Sequence, residues 1–450
     1  MTEETIRRKV APGTGVSVAV IGAGPVGLAL ALRAALALPE AEVSLFDARP
    51  AEKDVSGDPR TLALSEGSVQ ALRRLGAWNG AAAQPIAEVH VSQQAPSLAA
   101  FLPRLPGLPG RLADPELSIR ADREGVPQLG AVLAYGAIVA PLQRAWEAAV
   151  ARDPTRLFAR FGTPVAAIRD VPGGVEIDGR VVERFDLAVV AEGGVFQRVA
   201  EAGAPAPAGV PPPRLQVEGV AGGGGRASPL RHDYRQTAWV GAATFDPATP
   251  IGATAYERFT RHGPAALLPL RDGRAGLVWC VPSDDDPVEG LDDAQRATVL
   301  RAVFHSRTPR LASVSPLKRF PLGLVAERSL VSGRTVRIGN AAQTLHPVAG
   351  QGLNLGLRDA EVLVRALADR VGPGGRDGAD DRGIDRALAR LDRERLADRW
   401  SMIATTDFLA RSFTWTLPGA AAARGLGLAA VDALGPLKSR IARQMMFGTR

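Results

Sequence analysis

Residues 16–47 read VSVAVIGAGPVGLALALRAALALPEAEVSLFD. Val16–Ile21 is an apolar run with β-branched residues, the mark of a buried parallel strand. A glycine turn follows over Gly22–Gly27, then an Ala/Leu-rich segment that predicts a helix to Leu38, ended by Pro39. Glu42–Phe46 predicts a second strand, closing a βαβ unit of about 30 residues. The turn is a GxGxxG. Gly22 permits the tight bend, Gly24 lets a diphosphate approach the backbone, and Gly27 lets helix and strand pack closely. The diphosphate would sit over a helix N-terminus, where free N–H groups and the dipole favour negative charge. Asp47 ends the second strand, where a carboxylate can accept the ribose hydroxyls of an ADP moiety and repel a 2′-phosphate. This site suits FAD or NAD over NADP. Strand, turn, helix and acid together make the signal strong.

The rest of the chain extends this unit discontinuously. Phe185–Ala191 and Thr335–Ile338 predict two further buried strands, each running into a glycine turn, at Glu192-Gly193 and Gly339. Ala238–Thr244 and Ala275–Val281 are strand-like. Residues 200–227 are Pro/Gly-rich and predict an exposed loop, Gly372–Gly383 predicts a flexible polar connector, and helical patterns follow it. The expected architecture is α/β: a Rossmann-like FAD-binding domain in three pieces (1–84, 136–199, 328–385), interrupted by a mixed-sheet substrate domain (85–135, 200–327). A C-terminal helical segment (386–450) completes it. The 450 residues exceed what one core usually serves.

Bulk composition narrows the function classes. No apolar stretch of about 18 residues lacks a charge, so no membrane span is expected, and the first ten residues do not read as a secretory leader. A single cysteine, Cys280, precludes an intramolecular disulfide and fits a reducing cytoplasm. The net charge of +7, from 54 basic and 47 acidic side chains, comes without zinc-ligand spacing, an RNA-binding aromatic box or basic heptads, so nucleic acid is not an expected partner. The five scattered histidines suggest neither a metal cluster nor a Ser/His/Asp system.

A third block separates FAD from NAD. Residues 337–359 read RIGNAAQTLHPVAGQGLNLGLRD, a strand, a polar turn, a glycine-rich loop and a helix start. Asn340 can bond a polyol chain, and Gly350 and Gly352 leave room for a flat ring. Leu353, Leu357, Ala360, Val364, Leu367 and Val371 form a one-sided apolar stripe. Residues 339–359 resemble the ubiquinone-biosynthesis hydroxylases (UbiH/UbiF type), within the flavoprotein monooxygenases of the p-hydroxybenzoate hydroxylase fold. Gln343 departs from the family pattern, standing where His is usual. DPRTLALS at 58–65 is similar to that family's DxRxxALS stretch, and YERFTRHGPAALLPL at 256–270 to its substrate-domain signature.

The resemblance implies the following roles. Gly22, Gly24, Gly27 and Asp47 hold the ADP half of FAD, and Arg60 reaches its phosphates or ribityl chain. Glu192-Gly193 is a variant of an Asp-Gly motif serving FAD and nicotinamide. Gly339 and Asn340 contact the pyrophosphate and ribityl chain. Pro347, Gly350, Gln351, Gly352, Leu353 and Asn354 line the isoalloxazine. Ile138 and Val139 stand where many relatives carry polar residues, so no cofactor role passes to them. His346, Pro347 and His262 are the catalytic candidates. The implied reaction is aromatic hydroxylation of a 2-polyprenyl-6-methoxyphenol type of substrate through a flavin C4a-hydroperoxide, with NAD(P)H and O2 as co-substrates. Open alternatives are a monooxygenase of another aromatic metabolite, a flavin oxidoreductase that never activates oxygen, and a flavin-free scaffold of a quinone-synthesis complex. Leu434, Leu437, Ile441 and Met445 line one side of a terminal basic helix. That helix suits docking on the protein's own core or on the inner membrane's cytoplasmic face.

Overall fold

The computed structural model describes residues 15–94, 115–192, 216–218, 228–371, 381–413 and 419–449. Gly193, and most of 200–227, lie outside them. A six-stranded sheet runs β20 (Val331–Ser332), β21 (Thr335–Arg337), β12 (Leu187–Val190), β1 (Ser17–Ile21), β2 (Glu42–Asp47), β8 (Leu157–Phe161), parallel except for β20. Every residue of β1 is buried, because both faces of the sheet are covered. On one face pack α1 (Pro25–Ala37), α4 (Tyr135–Arg152) and α6 (Gly352–Val371), which supply the largest core cluster. Of the expected stripe on α6, Leu357, Ala360, Val364, Leu367 and Val371 are buried, and Leu353 is half-buried. Ile138 and Val139 are wholly buried in this core, so their apolar character is packing.

On the other face, Ala19, Ile21 and Phe46 pack against Ile168, Val175, Ile177 and Phe185. These belong to a small sheet of β9 (Ala167–Val171), β10 (Gly174–Asp178), β11 (Val182–Phe185) and β13 (Gln216–Glu218). The strand expected over Phe185–Ala191 is therefore two strands serving two sheets. The break is Asp186, whose Oδ2 accepts from Ser17 N and Ser17 Oγ, both at 2.7 Å, while its own N–H donates to Ser17 Oγ. β13 likewise corrects the expectation of an uninterrupted loop over 200–227.

A third, nine-stranded mixed sheet runs β22 (Gln343–Thr344), β19 (Lys318–Ala326), β14 (Leu230–Phe245), β17 (Ala275–Pro282), β16 (Pro264–Pro269), β15 (Thr254–Phe259), β5 (Glu88–Gln93), β6 (Glu116–Arg120). β18 (Leu311–Val314) also pairs with β14. α5 (Asp293–Phe304), opened by a capping box between Asp292 and Gln295, packs on it. A three-stranded sheet of β3 (Thr61–Ser65), β7 (Gly130–Ala134) and β4 (Gln84–Ile86) completes the set, with α2 (Glu66–Arg74) and the short α3 (Ala121–Glu124).

The C-terminal helices are α7 (Asp381–Ser412), α8 (Ala420–Ala433) and α9 (Gly435–Phe447). The expected connector over Gly372–Gly383 is corrected at its end, since Asp381, Arg382 and Gly383 already open α7. Residues 372–380 lie outside the described residues. α9 docks on the protein through Ala442 and Met446, which are buried, while Leu434 and Leu437 are exposed. The buried face is thus offset from the expected stripe of Leu434, Leu437, Ile441 and Met445. Among the described residues no helix is long and apolar enough to cross a membrane, and no group of three or more side chains could hold a metal.

Candidate functional site

The turn after β1 is built around Gly22, with φ +106° and its N–H donating to Phe46 O at 2.8 Å. A Cβ there would stand 3.0 Å from the Glu192 backbone, and one at Gly27 only 1.9 Å from Gly22 O. Gly27 is therefore what lets α1 lie on the turn. Gly24 differs: a Cβ there would meet nothing nearer than Tyr135 Oη at 3.7 Å. Gly24 is the N-cap of α1 and no side chain caps the helix, so its first amides face an open cradle. Asp47 bounds this cradle. Its Oδ2 accepts from Ala23 N at 2.5 Å and its Oδ1 from Arg49 N at 2.7 Å, which fixes the carboxylate beside the turn with lone pairs to spare.

Two residues not anticipated from the sequence complete the cradle. Tyr135, at the start of α4, carries the Arg60 guanidinium over its ring at 4.2 Å. Arg60 is exposed and paired to Asp58 at 2.7 Å, and the guanidinium holds the Asp58 carboxyl below its usual range. Burial pushes the Tyr135 phenol up. Arg49 lies over Phe161 and donates Nη1–H to Gln143 Oε1 at 3.0 Å, while its Nη2 is buried without a partner. Isolated polar residues in aperiodic stretches gave no sequence signal for either. Glu192 is exposed beside Gly22.

The second half of the site is the loop before α6. Gly339 has φ +58°, and its Cα would lie 2.7 Å from a Cβ at Gly356. A Cβ on Gly339 itself would be 3.3 Å from Val26 of α1, so the two glycines bring this loop onto the first turn. A Cβ at Gly350 would meet only Ala63 at 3.7 Å, and one at Gly352 only Asn340 Oδ1 at 3.8 Å. Neither position is crowded. Gln351 Oε1 is buried with no partner. Asn354 behaves otherwise. Its Oδ1 accepts from Ser65 N and Ser68 Oγ, both at 2.8 Å, and its Nδ2 donates to Ala63 O and Gly350 O, both at 3.2 Å. It staples the loop to β3, and little of its amide is left for a ligand. Pro347 and Leu353 are half-buried.

His346 is 2% exposed. Its Nδ1 accepts from Val348 N at 3.2 Å, so Nε2 carries the proton and donates to Gln236 Oε1 at 2.9 Å. Burial pushes its pKa down to about 3. Both ring nitrogens of this catalytic candidate are engaged within the fold, which leaves neither free for a substrate. A consequence is measurable. The unfolded histidine protonates near its ordinary 6.5, the folded one near 3. Stability is therefore full above about pH 6.5 and falls with acidification, by up to about 1.4 kcal/mol per pH unit while only the unfolded state binds the proton. His346→Gln is expected to flatten that part of the melting-temperature profile. His262 sits in the turn between β15 and β16, where its Nε2 accepts from Arg261 Nε at 2.8 Å. Partial burial and the Arg261 charge lower its pKa, so it is neutral near pH 7.

A turn that can cradle a diphosphate, an acid at the end of β2 and an open glycine loop packed against that turn define an FAD-type dinucleotide site; the donor set and the orphaned Gln351 acceptor fit that cofactor. A family described as FAD binding domain matches residues 231–393. Solved structures share the fold. The FAD complex of a point variant of Klebsiella pneumoniae HpxO aligns with TM-score 0.63 at 16% identity over 96% of this chain and 99% of that one. The p-nitrophenol 4-monooxygenase PnpA of Pseudomonas putida aligns with TM-score 0.64 at 15% identity, covering 96% and 98%. Among curated proteins, ubiquinone hydroxylase UbiL of Rhodospirillum rubrum is 35% identical over 239 residues, 50% of this chain and 54% of that protein. The 3-demethoxyubiquinol 3-hydroxylase of Escherichia coli is 34% identical over 190 residues, 42% and 46%. The chain is thus similar over part of its length to proteins named as ubiquinone-biosynthesis hydroxylases, and it spans about half the length of the curated relatives it matches.

Proposed function

We propose that this protein binds FAD and hydroxylates a lipophilic phenol, a prenylated ubiquinone precursor, with a reduced nicotinamide and O2 as co-substrates. The observation that supports the reading is the packing of Gly339 between Val26 and Gly356, which brings the strand end before the Gly350–Gly352 loop onto the first turn of α1. Gly22, Gly24, Gly27 and Asp47 would hold the ADP half. Arg60, aligned by Asp58 and Tyr135, would reach the phosphates or ribityl chain, and Glu192 would serve FAD and nicotinamide binding. Gly339 and Asn340 would meet the pyrophosphate and ribityl chain, and Gln351 Oε1 would accept from a ring N–H or hydroxyl. Asn354 would act indirectly, by fixing Gly350. We read the FAD-binding domain as the three pieces 1–84, 136–199 and 328–385, with the substrate domain inserted between them.

Bound FAD, once reduced, would supply the activation of dioxygen. The chain supplies position and dryness. Phe259, Val348 and Phe413 form an apolar cluster against the loop, with the two rings 5.3 Å apart edge to face. Such a wall excludes water and orients an aromatic substrate. The test is the absorption spectrum of the purified chain, then nicotinamide oxidation with and without a short-chain prenylphenol under isotopically labelled O2. Flavin bands, phenol-stimulated oxidation and one labelled oxygen in the product are expected. A colourless chain that FAD cannot reconstitute would favour the scaffold alternative. Turnover without oxygen incorporation would favour a plain flavin oxidoreductase.

A further inference from the structure

Of the eight large apolar side chains exposed among the described residues, three fall in the short span of the C-terminal helices: Leu426 at 42%, Leu434 at 53% and Leu437 at 41%. They belong to one stripe. On α8 the exposed positions are Ala423, Leu426, Gly427, Ala430 and Ala433, at helical spacing and without a polar side chain among them. The polar groups of α8 are drawn elsewhere. Arg424 lies over the Phe413 ring at 5.0 Å and donates to Ser412 O, and Asp432 pairs with Lys438 at 3.0 Å. Leu434 and Leu437 follow in the chain as exposed leucines, and beyond them Arg440 and Arg443 stand exposed, Arg443 with its Nε 4.0 Å from Glu124. From 419 to 449 there are four basic residues (Arg424, Lys438, Arg440, Arg443) and one acidic one, Asp432.

The stripe cannot turn inward, because the opposite side of α9 is pinned. Ala442 and Met446 are buried, Arg358 Nη2 donates to Met445 O at 2.6 Å, and a Cβ on Gly67 would stand 2.6 Å from Met446 O. α8 is held through Gly425, where a Cβ would be 3.0 Å from Pro115. The fold therefore fixes an apolar face with a cationic border outward. That is the pattern of an interfacial element: leucines for the acyl boundary and arginines for anionic headgroups.

We propose that the outer face of α8 and the start of α9 dock this protein on an anionic phospholipid bilayer, with Leu426, Leu434 and Leu437 entering the interface and Arg440 and Arg443 meeting lipid phosphates. The proposal rests on the reading of a lipophilic substrate, and the site's position agrees with it. Phe413, under Arg424 of α8, packs on Phe259 and Val348 of the apolar wall, so the proposed face and the loop share a packed neighbour. A second copy of the chain fits less well, because the same face of another copy brings Arg440 and Arg443 but no acid beyond Asp432, which Lys438 already holds.

The test is vesicle flotation of the full chain with phosphatidylcholine alone and with added phosphatidylglycerol. Flotation only with the anionic vesicles is expected. Removing charge with Arg440→Gln and Arg443→Gln should lower the bound-to-free ratio about fivefold for each arginine. Leu434→Glu with Leu437→Glu should abolish flotation while the melting temperature and FAD content stay at parental values, since both side chains face solvent. No flotation of the parent, or flotation indifferent to these variants, overturns the proposal. So does a parental dimer that Leu434→Glu converts to a monomer in sedimentation, which would assign the face to a second copy. Hydroxylation of a water-soluble short-chain phenol without vesicles keeps the two readings apart. Turnover without flotation removes the docking surface alone, and flotation without turnover removes the hydroxylase reading alone.

Discussion

A Gly24→Val chain is expected to melt where the parent melts and to lose FAD. Gly24 has φ −77° and ψ −178°, extended backbone that a β-branched residue adopts readily. The nearest atom to an added Cβ is Tyr135 Oη at 3.7 Å, so the apo fold has room for the side chain. The room is what a diphosphate would need. Valine methyls there would hold phosphate oxygens away from the amides that open α1. Losing one or two charge-assisted hydrogen bonds costs about 3 kcal/mol, or roughly a hundredfold in affinity. Gly27→Val is the contrasting control. Its Cβ would press to 1.9 Å of Gly22 O, a backbone atom that cannot yield. The cost should exceed the roughly 1–3 kcal/mol usual for overpacking, and the melting temperature should fall with or without cofactor. FAD affinity by flavin fluorescence quenching and apo melting by circular dichroism separate the two. A Gly24→Val chain that retains parental affinity would mean that the cradle holds no diphosphate.

The contrast also shows what a sequence discloses. β1, α1, β2 and the loop at 339–359 were legible because their signals are local: an apolar run, fixed glycine spacing, a helix-period stripe. Which glycine packs and which is open was not legible, because Gly24 and Gly27 differ only in what other segments place against them. The same holds for Asn354, which reads as a ligand-lining residue until Ser65, Ser68 and Ala63 arrive from the chain's other end. His346 stood in a loop that suggested chemistry, but its partner Gln236 lies 110 positions away. Tyr135 and Arg49 carry no periodicity. The C-terminal face was misplaced because α9 alone has several apolar stripes, and contacts from distant segments, among them Gly67 on α2, Arg358 on α6 and Glu124 on α3, select the docked one.

Asp359→Ala is expected to cost about 3–5 kcal/mol, because it strips a buried guanidinium of a counter-charge. Asp359 is fully buried on α6 and accepts from Arg395 Nε at 2.7 Å and from Gln343 Nε2 at 3.4 Å. Arg395 also pairs with Asp398, which is shared with Arg358, and its Nη2 already lacks a partner. Arg395 is only 4% exposed, so bulk solvent does not reach it to replace the lost charge. The network also reaches the site, because Gln343 accepts from Arg399 Nε at 2.7 Å three residues before His346. Loosening it should weaken FAD binding as well as lower the melting temperature. The same geometry accounts for glutamine at a position where the resembled family has histidine. Gln343 needs one acceptor for Arg399 and one donor for Asp359, and a neutral imidazole offers one of each. Gln343→His should therefore stay close to the parent, whereas Gln343→Leu takes one bond from each partner, leaving Asp359 with Arg395 and Arg399 with Glu327 O, and should cost roughly 1–3 kcal/mol. Thermal melts of the three variants decide the matter. A histidine variant as damaged as the leucine one would show that shape, not hydrogen bonding, selects the residue, and an Asp359→Ala chain as stable as the parent would show that the buried arginines rest on Asp398 alone.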